Sequence, residues 1–274
     1  MRSHVTSGLI ISQKSIWHMK IKNLHRWDVT PKEAIEIQRN LQKRILLKNF
    51  SKDIHLVAGA DAAFSTLDKL CFANVKPKST LSKTKKIICQ GAKKENLVHG
   101  AVCVFSFPDM ELVEEKTATL PLKFPYIPGL LSFREGTVLL KCFEKIKNAP
   151  DVILFDGQGI MHPRKMGIAA HLGILLNKPA IGCAKSYLYG EFNLPANFKG
   201  AFEYVRDKNG ELIGACLRTR KDVKPIFVST GHKISLSKAI DIVLACTKRY
   251  RLPEPLRYAH RLAEITKQRY EKDY

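Results

Sequence analysis

Two aspartates stand in apolar runs, where a carboxylate is unexpected. Asp61 lies within LVAGADAAF (56–64), and Asp156 ends VILFD (152–156); both runs are short enough to be buried strands. A lone buried carboxylate costs several kcal/mol unless something compensates it, and two that converge repel each other. A hard divalent cation such as Mg²⁺, which takes oxygen ligands, resolves both problems. A hydrogen-bonded structural aspartate is the alternative explanation for either residue alone.

The charge of the chain indicates a polyanionic partner. The 274 residues include 46 Lys and Arg against 25 Asp and Glu, which leaves a net charge of +21 and a pI near 9.7. Such an excess favours nucleic acid first and an anionic membrane surface second. No apolar run approaches the roughly 20 residues that span a bilayer, so we expect no membrane insertion. Together with the two aspartates, the charge makes metal-assisted phosphodiester cleavage the leading chemistry.

Two further features lie between these runs, and each has a structural alternative. Glu135 ends the pattern Ser132-Phe133-Arg134-Glu135, which fits a helix capping box as well as a third acid of the site. The sequence FPYIPG (124–129) is a stiff, proline-framed turn that carries Tyr126. Such a turn suits an apolar wedge inserted between bases, although a tyrosine that simply packs on a loop is more common.

The residues after Asp156 suit contacts with a base or a phosphate. Gly157-Gln158-Gly159 leaves backbone amides open to a base edge or a phosphate, and His162-Pro163-Arg164-Lys165 adds a histidine and two cations suited to phosphate contacts. Lys185 ends a short strand, where it either meets a phosphate oxygen or is a solvated lysine. His232 precedes a helix, where it either serves the site as a proton donor or is a structural histidine.

These residues need a scaffold of strands and helices, and the periodicity predicts one α/β domain built on a mixed sheet flanked by helices. Thr30, Pro31 and Glu33 predict a helix start by capping. Seven cysteines, odd in number and without C-x-x-C spacing, indicate reduced thiols and a cytoplasmic protein. The predicted elements are strands at 56–64, 97–107, 111–120, 152–156, 179–185 and 224–232, helices at 132–147, 166–176, 235–250 and from 255, and a hairpin at 207–210.

Seven blocks of the sequence, in this order and at these spacings, resemble the endonuclease V family. The resemblance extends from about Leu24 to Ile265 and covers most of the chain. It implies a ribonuclease H-like fold and cleavage of strands that contain hypoxanthine, at the second phosphodiester bond 3′ to the lesion, leaving 3′-hydroxyl and 5′-phosphate ends. The blocks are LHRWD (24–28), VAGADAAFS (57–65), FPYIPGLLSFREG (124–136), FDGQGIMHPRKMGIAAHLG (155–173), IGCAKSYLYG (181–190), PIFVSTGH (225–232) and LPEPLRYAH (252–260).

The same resemblance implies roles for individual residues. It makes Asp61 and Asp156 metal ligands, with Glu135 completing the metal site directly or through water, and Lys185 and His232 the other catalytic residues. It makes Tyr126, Ile127 and Pro128 the wedge that fills the gap left by the extruded base. The implied lesion pocket consists of Gly157, Gln158, Gly159 and His162.

The expected domain is 24–265, preceded by an extension (1–23) that need not be ordered and followed by a basic tail (266–274). A lysine-rich insertion (66–98) strengthens nonspecific phosphate binding. We expect Mg²⁺ as cofactor, with Mn²⁺ as a substitute, no small-molecule cofactor, and a monomer that acts in DNA repair. The alternatives are an inosine-specific endoribonuclease and a catalytically silent nucleic-acid-binding protein on the same fold.

Overall fold

A single mixed sheet of eight strands organises the protein, whose computed structural model describes residues 19–48, 53–68 and 94–273. The spatial order is β3-β2-β1-β4-β5-β8-β7-β6. The three central strands β1, β4 and β5 run parallel, and the strands on both sides pair antiparallel. The strands are β1 (Leu56–Asp68), β2 (Lys94–Ser106), β3 (Leu112–Pro121), β4 (Val152–Phe155), β5 (Ala180–Ala184), β6 (Phe202–Arg206), β7 (Leu212–Leu217) and β8 (Ile226–His232).

Helices cover both faces of this sheet. One face packs against α2 and α3 through a core that includes Ala60, Phe155 and Leu172, and the other packs against α4 and α5 through a core that includes Leu154 and Leu256. The alternation arises because successive side chains of a strand point to opposite faces. The helices of the described chain are α1 (Pro31–Gln42), α2 (Leu131–Phe143), α3 (Ile168–Leu176), α4 (Leu236–Ala245) and α5 (Glu254–Asp273).

The predicted fold class, a mixed α/β sheet flanked by helices in one domain, is confirmed. Helix α1 begins as predicted, because Thr30 caps it, Glu33 closes the capping box and Pro31 occupies the first turn. The predicted hairpin at 207–210 joins β6 and β7. In the described ranges, no helix has the length and apolar character needed to cross a membrane.

Three predicted boundaries differ from the structure. The insertion predicted at 66–98 overlaps the strands, because β1 and β2 stay paired as far as Asp68 and Lys94; residues 69–93 lie outside the described residues. Within the predicted extension, residues 1–18 also lie outside them, but Met19 is buried and the Lys22 amide donates to the Leu175 carbonyl at 2.8 Å. The predicted basic tail at 266–274 continues α5 in its described part, because this helix extends to Asp273.

Candidate active site

Strand register brings the two predicted aspartates together. Ala60 of β1 pairs with Phe155 of β4, so Asp61 and Asp156 follow at the same level on neighbouring parallel strands. The Asp156 amide donates to the Ala60 carbonyl at 3.2 Å and fixes this register. The side chains of Asp61 and Asp156 are only 9% and 15% exposed. Two nearly buried carboxylates therefore lie side by side where β4 ends against the middle of β1.

Glu135 of α2 is the third acid of this cluster. The competing capping-box interpretation is wrong, because the helix starts one residue before Ser132 and has no side-chain cap, and because Ser132 Oγ bonds His171 Nδ1 instead. Glu135 is buried, and burial followed by the neighbouring Asp61 and Asp156 raises its pKa well above the usual range. The pKa of Asp156 is also raised, by burial and by Asp61. This concentration of negative charge is what a divalent cation neutralises.

Lys185 and His260 each contact one of the acids. Lys185, just after β5, forms a salt bridge with Asp156 through Nζ and Oδ2. His260 of α5 donates from Nδ1 to Asp61 Oδ2 at 2.8 Å, and this hydrogen bond raises the pKa of His260. The sequence analysis missed His260 as a site residue. The signal was present, because His260 ends the block LPEPLRYAH that carries part of the family resemblance.

His232 does not reach this cluster, and its assignment to the active site is wrong. It pairs with Ala180, at the start of β5, whereas Lys185 follows the end of the same strand. The five residues of β5 separate these ends by roughly 13 Å at about 3.3 Å per residue. The His232 ring is buried and accepts a hydrogen bond from the Leu46 amide at 3.3 Å, and burial lowers its pKa to about 4. His232 is therefore a neutral structural histidine.

A cavity of about 330 Å³ opens beside the acids, between the Tyr126 loop and the segment 185–188. Asp156, Gly157, Gln158 and His162 line it. The Gln158 side chain is buried; its Nε2 donates to the Ser186 carbonyl at 3.2 Å, and its Oε1 has no partner among the described residues. The volume is large enough for one base and lies in the usual range of small-molecule sites.

Several details of the predicted pocket and wedge differ. Gly159 does not line the cavity, and its amide donates to Ser229 Oγ at 2.7 Å. In the wedge, Tyr126 is 70% exposed and Pro128 is exposed, whereas Ile127 is half-buried against the core beside α1 and α2. Ile127 thus anchors the loop, and Tyr126 projects from it.

The predicted phosphate contacts of His162-Pro163-Arg164-Lys165 are also not supported. Both His162 and Arg164 donate to the Gly129 carbonyl, at 3.0 and 2.9 Å. Lys165 forms salt bridges with Asp207, at 3.8 Å, and with Glu211. These three polar side chains are engaged within the protein.

Arg251 is a second residue that sequence reasoning missed. One of its terminal nitrogens donates at 2.8 Å to both the Lys185 and the Pro225 carbonyls, and so links the end of β5 to the residue before β8. Its Nε is buried without a partner in the described ranges, and the negative charge of Asp156 acts on it. No local pattern in the sequence identifies such a backbone bridge.

The donor set fits a hard divalent cation. Asp61, Glu135 and Asp156 offer carboxylate oxygens, the ligands that Mg²⁺ prefers, and their mutual effect on pKa shows the excess of negative charge. Among the described residues, no group of three or more His, Cys, Asp or Glu is arranged to hold a metal as it stands. The Asp61 and Asp156 oxygens are instead engaged by His260 and Lys185.

Comparison with known proteins identifies relatives that cover nearly the whole chain. A protein described as Endonuclease V from Trichormus variabilis is 46% identical over 246 residues, which cover 89% of this chain and 99% of that protein. An Endonuclease V from Dehalococcoides mccartyi is 45% identical over 243 residues, which cover 89% of this chain and 96% of that protein.

Solved structures agree with these relatives. The Endonuclease V structure from Bacillus subtilis superposes with a TM-score of 0.79 at 30% identity, covering 93% of this chain and all of that one. Ciona intestinalis Endonuclease V in complex with a 24mer DNA containing an inosine followed by a ribo-adenosine superposes with a TM-score of 0.66 at 26% identity, covering 88% of this chain and 98% of that one. The model of the family described as Endonuclease V matches residues 86–261, and the chain belongs to the endonuclease V family.

Proposed function

We propose that this protein is a Mg²⁺-dependent endonuclease that cuts inosine-containing DNA at the second phosphodiester bond 3′ to the inosine. The observation that carries the proposal is the position of the base-sized cavity beside three acids, of which Asp61 and Glu135 are buried and Asp156 is partly exposed. Asp156 lines the cavity, whereas Asp61 and Glu135 lie beyond it. In this proposal a nucleotide extruded into the cavity places a later phosphate of the strand, and not its own, against the acids.

Asp61, Asp156 and Glu135 hold the cation in this proposal, Glu135 directly or through water, and Mn²⁺ substitutes for Mg²⁺. When bound, the ion activates water and stabilises the charge that grows on the attacked phosphate. Lys185 Nζ, beside Asp156, adds positive charge where that phosphate lies. His260, hydrogen-bonded to Asp61, is the residue that we place to protonate the leaving 3′-oxygen.

Recognition of the lesion rests on extrusion of the base into the cavity. Unstacking costs a few kcal/mol and is cheapest for a weakly paired base such as hypoxanthine. Tyr126, exposed at the cavity rim, fills the gap in the stack. The 6-oxo group and protonated N1 of hypoxanthine distinguish it from adenine. Because the Gly159 amide is already engaged, we assign their reading to Gly157 and Gln158.

Lys185 and His260 contact Asp156 and Asp61 within one chain, and the proposal takes a monomer as the active form. The five described cysteines are free and buried, which supports a reducing compartment such as the cytoplasm. The complex of the Ciona relative contains DNA with a ribonucleotide after the inosine. We therefore include RNA and mixed strands in the test.

The test uses matched DNA, RNA and mixed oligonucleotides, each with one inosine or one adenine, and maps the products at nucleotide resolution in Mg²⁺. We expect a cut one nucleotide beyond the inosine's own 3′ bond, absent with adenine, and absent with Asp61→Ala although that variant still binds the strand. Faster cleavage of the RNA strand would indicate that the protein acts in RNA processing and not in DNA repair. If the wild type binds the strands but cleaves none of them with any divalent metal, the protein is a catalytically silent nucleic-acid-binding protein and not an endonuclease.

A further inference from the structure

One backbone carbonyl beneath the proposed wedge collects three side-chain donors. The Gly129 carbonyl accepts hydrogen bonds from Gln38 Nε2 at 2.9 Å, His162 Nε2 at 3.0 Å and Arg164 Nη2 at 2.9 Å. A carbonyl oxygen has two lone pairs, so three donors are an unusual concentration. We call Gln38, His162 and Arg164 the latch. It fixes the residue that immediately follows Tyr126, Ile127 and Pro128.

The latch is rigid because its members also bind each other. Arg164 Nε donates to Gln38 Oε1 at 2.6 Å, and Gln38 Nε2 also donates to the Met166 carbonyl at 3.0 Å. The Arg164 amide donates to His162 Nδ1 at 3.1 Å, which leaves Nε2 as the protonated nitrogen of that ring. Each member is therefore held in a single orientation and, for His162, in a single tautomer.

The composition of the latch is costly for stability alone. Gln38 is only 1% exposed although its side chain is polar. Arg164 is partly buried, and no carboxylate forms a salt bridge with it in the described part of the chain; its side-chain hydrogen bonds go to neutral oxygens. Apolar side chains would fill this space at lower desolvation cost. Polar residues at these positions are explained if they serve to fix the position of the Tyr126 loop and not to stabilise the fold.

The neighbouring geometry shows what the latch controls. Gly129 has a φ of +79°, which favours glycine, and a Cβ there would lie 2.8 Å from the Arg164 guanidinium. The Leu130 amide donates to the Ile127 carbonyl at 2.9 Å, so the loop closes as a tight turn above the latch. Tyr126 projects from this turn with its side chain exposed. Helix α1, which carries Gln38, thereby braces a loop about 90 residues later in the chain.

We propose that Gln38 and Arg164 are positioning residues that hold the Tyr126 loop ready to enter the gap left by an extruded base. The inference rests on the proposed function. A loop that is already ordered in the free protein loses little conformational entropy when the strand binds. The latch therefore aids cleavage most where a base must leave a stacked duplex, and least on a single strand, where extrusion is cheap.

The test compares Gln38→Met with Asn40→Met, a polar residue on the exposed side of the same helix. Single-turnover cleavage in Mg²⁺ is measured on one inosine strand, alone and in a duplex. We expect Gln38→Met to lower the duplex rate about 10- to 100-fold, the range of a misplaced positioning group. The single-strand rate should fall less than 3-fold. Asn40→Met should change neither.

Two further measurements separate positioning from general destabilisation. The fluorescence of 2-aminopurine placed beside the inosine reports unstacking in the duplex without cleavage, and it should fall in Gln38→Met. In a Tyr126→Ala background, Gln38→Met should cause no further loss, because both act through one loop. Arg164→Lys, which keeps the charge but not the fork of donors, replaces Gln38→Met if that variant does not fold, and the same results are expected.

Equal losses on single strand and duplex, or full additivity with Tyr126→Ala, would overturn the latch and leave the proposed function intact. A wild-type protein that cuts neither inosine substrate would overturn the proposed function and the latch with it. The two failures are thus distinguished by the wild-type rate.

Discussion

Gly59→Ala tests whether the close approach of α5 to the sheet sets the active site. Gly59 lies on β1, two residues before Asp61 and on the same face. A Cβ at Gly59 would lie 2.2 Å from the carbonyl carbon and oxygen of Pro255, and these are backbone atoms of α5. Pro255 precedes His260 by little more than one helical turn. A methyl group at Gly59 must therefore displace the helix segment that carries His260.

The size of the effect follows from these distances. Non-bonded carbon atoms settle at about 3.5 Å, so the start of α5 must move by roughly 1 Å. That movement stretches the 2.8 Å hydrogen bond between His260 and Asp61 beyond hydrogen-bonding range. Overpacking of this kind costs about 1–3 kcal/mol, which lowers Tm by roughly 2–12 °C in a domain of this size. A 1 Å misplacement also lowers a catalytic rate by up to about 100-fold.

Gly100→Ala on the neighbouring strand is the matched control. A Cβ at Gly100 would meet only the ends of side chains, at 3.0 Å from Val138 and 3.2 Å from Cys142. Thermal unfolding and single-turnover cleavage of inosine DNA are measured for both variants at a temperature where each is folded. Gly59→Ala should lose far more activity than Gly100→Ala for a given loss of Tm. If the two variants lose activity only in proportion to Tm, the coupling between Gly59 and His260 is refuted.

Three other results are expected. Arg251→Met should lower cleavage about 10-fold by releasing the Lys185 carbonyl, and should add nothing in a Lys185→Met background; full additivity would contradict this. Burial lowers the pKa of His171 to about 3, so between pH 6.5 and that value only the unfolded state takes up the proton. Stability should therefore fall as pH falls through this window, by up to about 1.4 kcal/mol per pH unit, and urea titrations should show a shallower decline for His171→Gln. Asp156→Asn should abolish the heat of Mn²⁺ binding in calorimetry while inosine-strand binding persists; unchanged metal binding would move the metal elsewhere.

Asp61 and Asp156 could be predicted because their signal is local. Each interrupts or ends an apolar run, and the cost of burying a carboxylate is independent of the rest of the fold. That β1 and β4 are parallel neighbours, which brings the two aspartates side by side, is long-range information that only the structure supplies. The prediction of these two residues needed only strand length and chemistry.

Glu135 and His232 show where local pattern is insufficient. The spacing of Ser132 and Glu135 suits a capping box and an acidic site equally, and only the three-dimensional approach of the Asp61 and Asp156 strands decides between them. His232 ends an apolar strand, and Asp156 follows one. However, β8 runs antiparallel to β5, so the end of β8 lies beside the start of β5, away from Asp156. Strand direction is a property of topology and cannot be read from either segment.

The sequence prediction missed His260 and misplaced the bounds of the lysine-rich segment for related reasons. His260 contacts a partner 199 residues earlier in the chain, so only the family block that it ends, and no local chemistry, could have identified it. The ends of the predicted insertion, 66–68 and 94–98, mix polar and apolar residues, and no local pattern showed that they pair with each other. Cross-strand hydrogen bonds stabilise such residues although their side chains do not alternate.

The position of α5 also determines when the site can exist. This helix follows all eight strands in the chain, yet it covers the face of β1 on which Asp61 lies and supplies His260. During synthesis the strands and the acids emerge first, and domains fold as units when their last contacts become available. A nascent chain without α5 therefore has its acids but lacks their histidine and part of their enclosing wall. The site is therefore complete only once α5 has packed against β1.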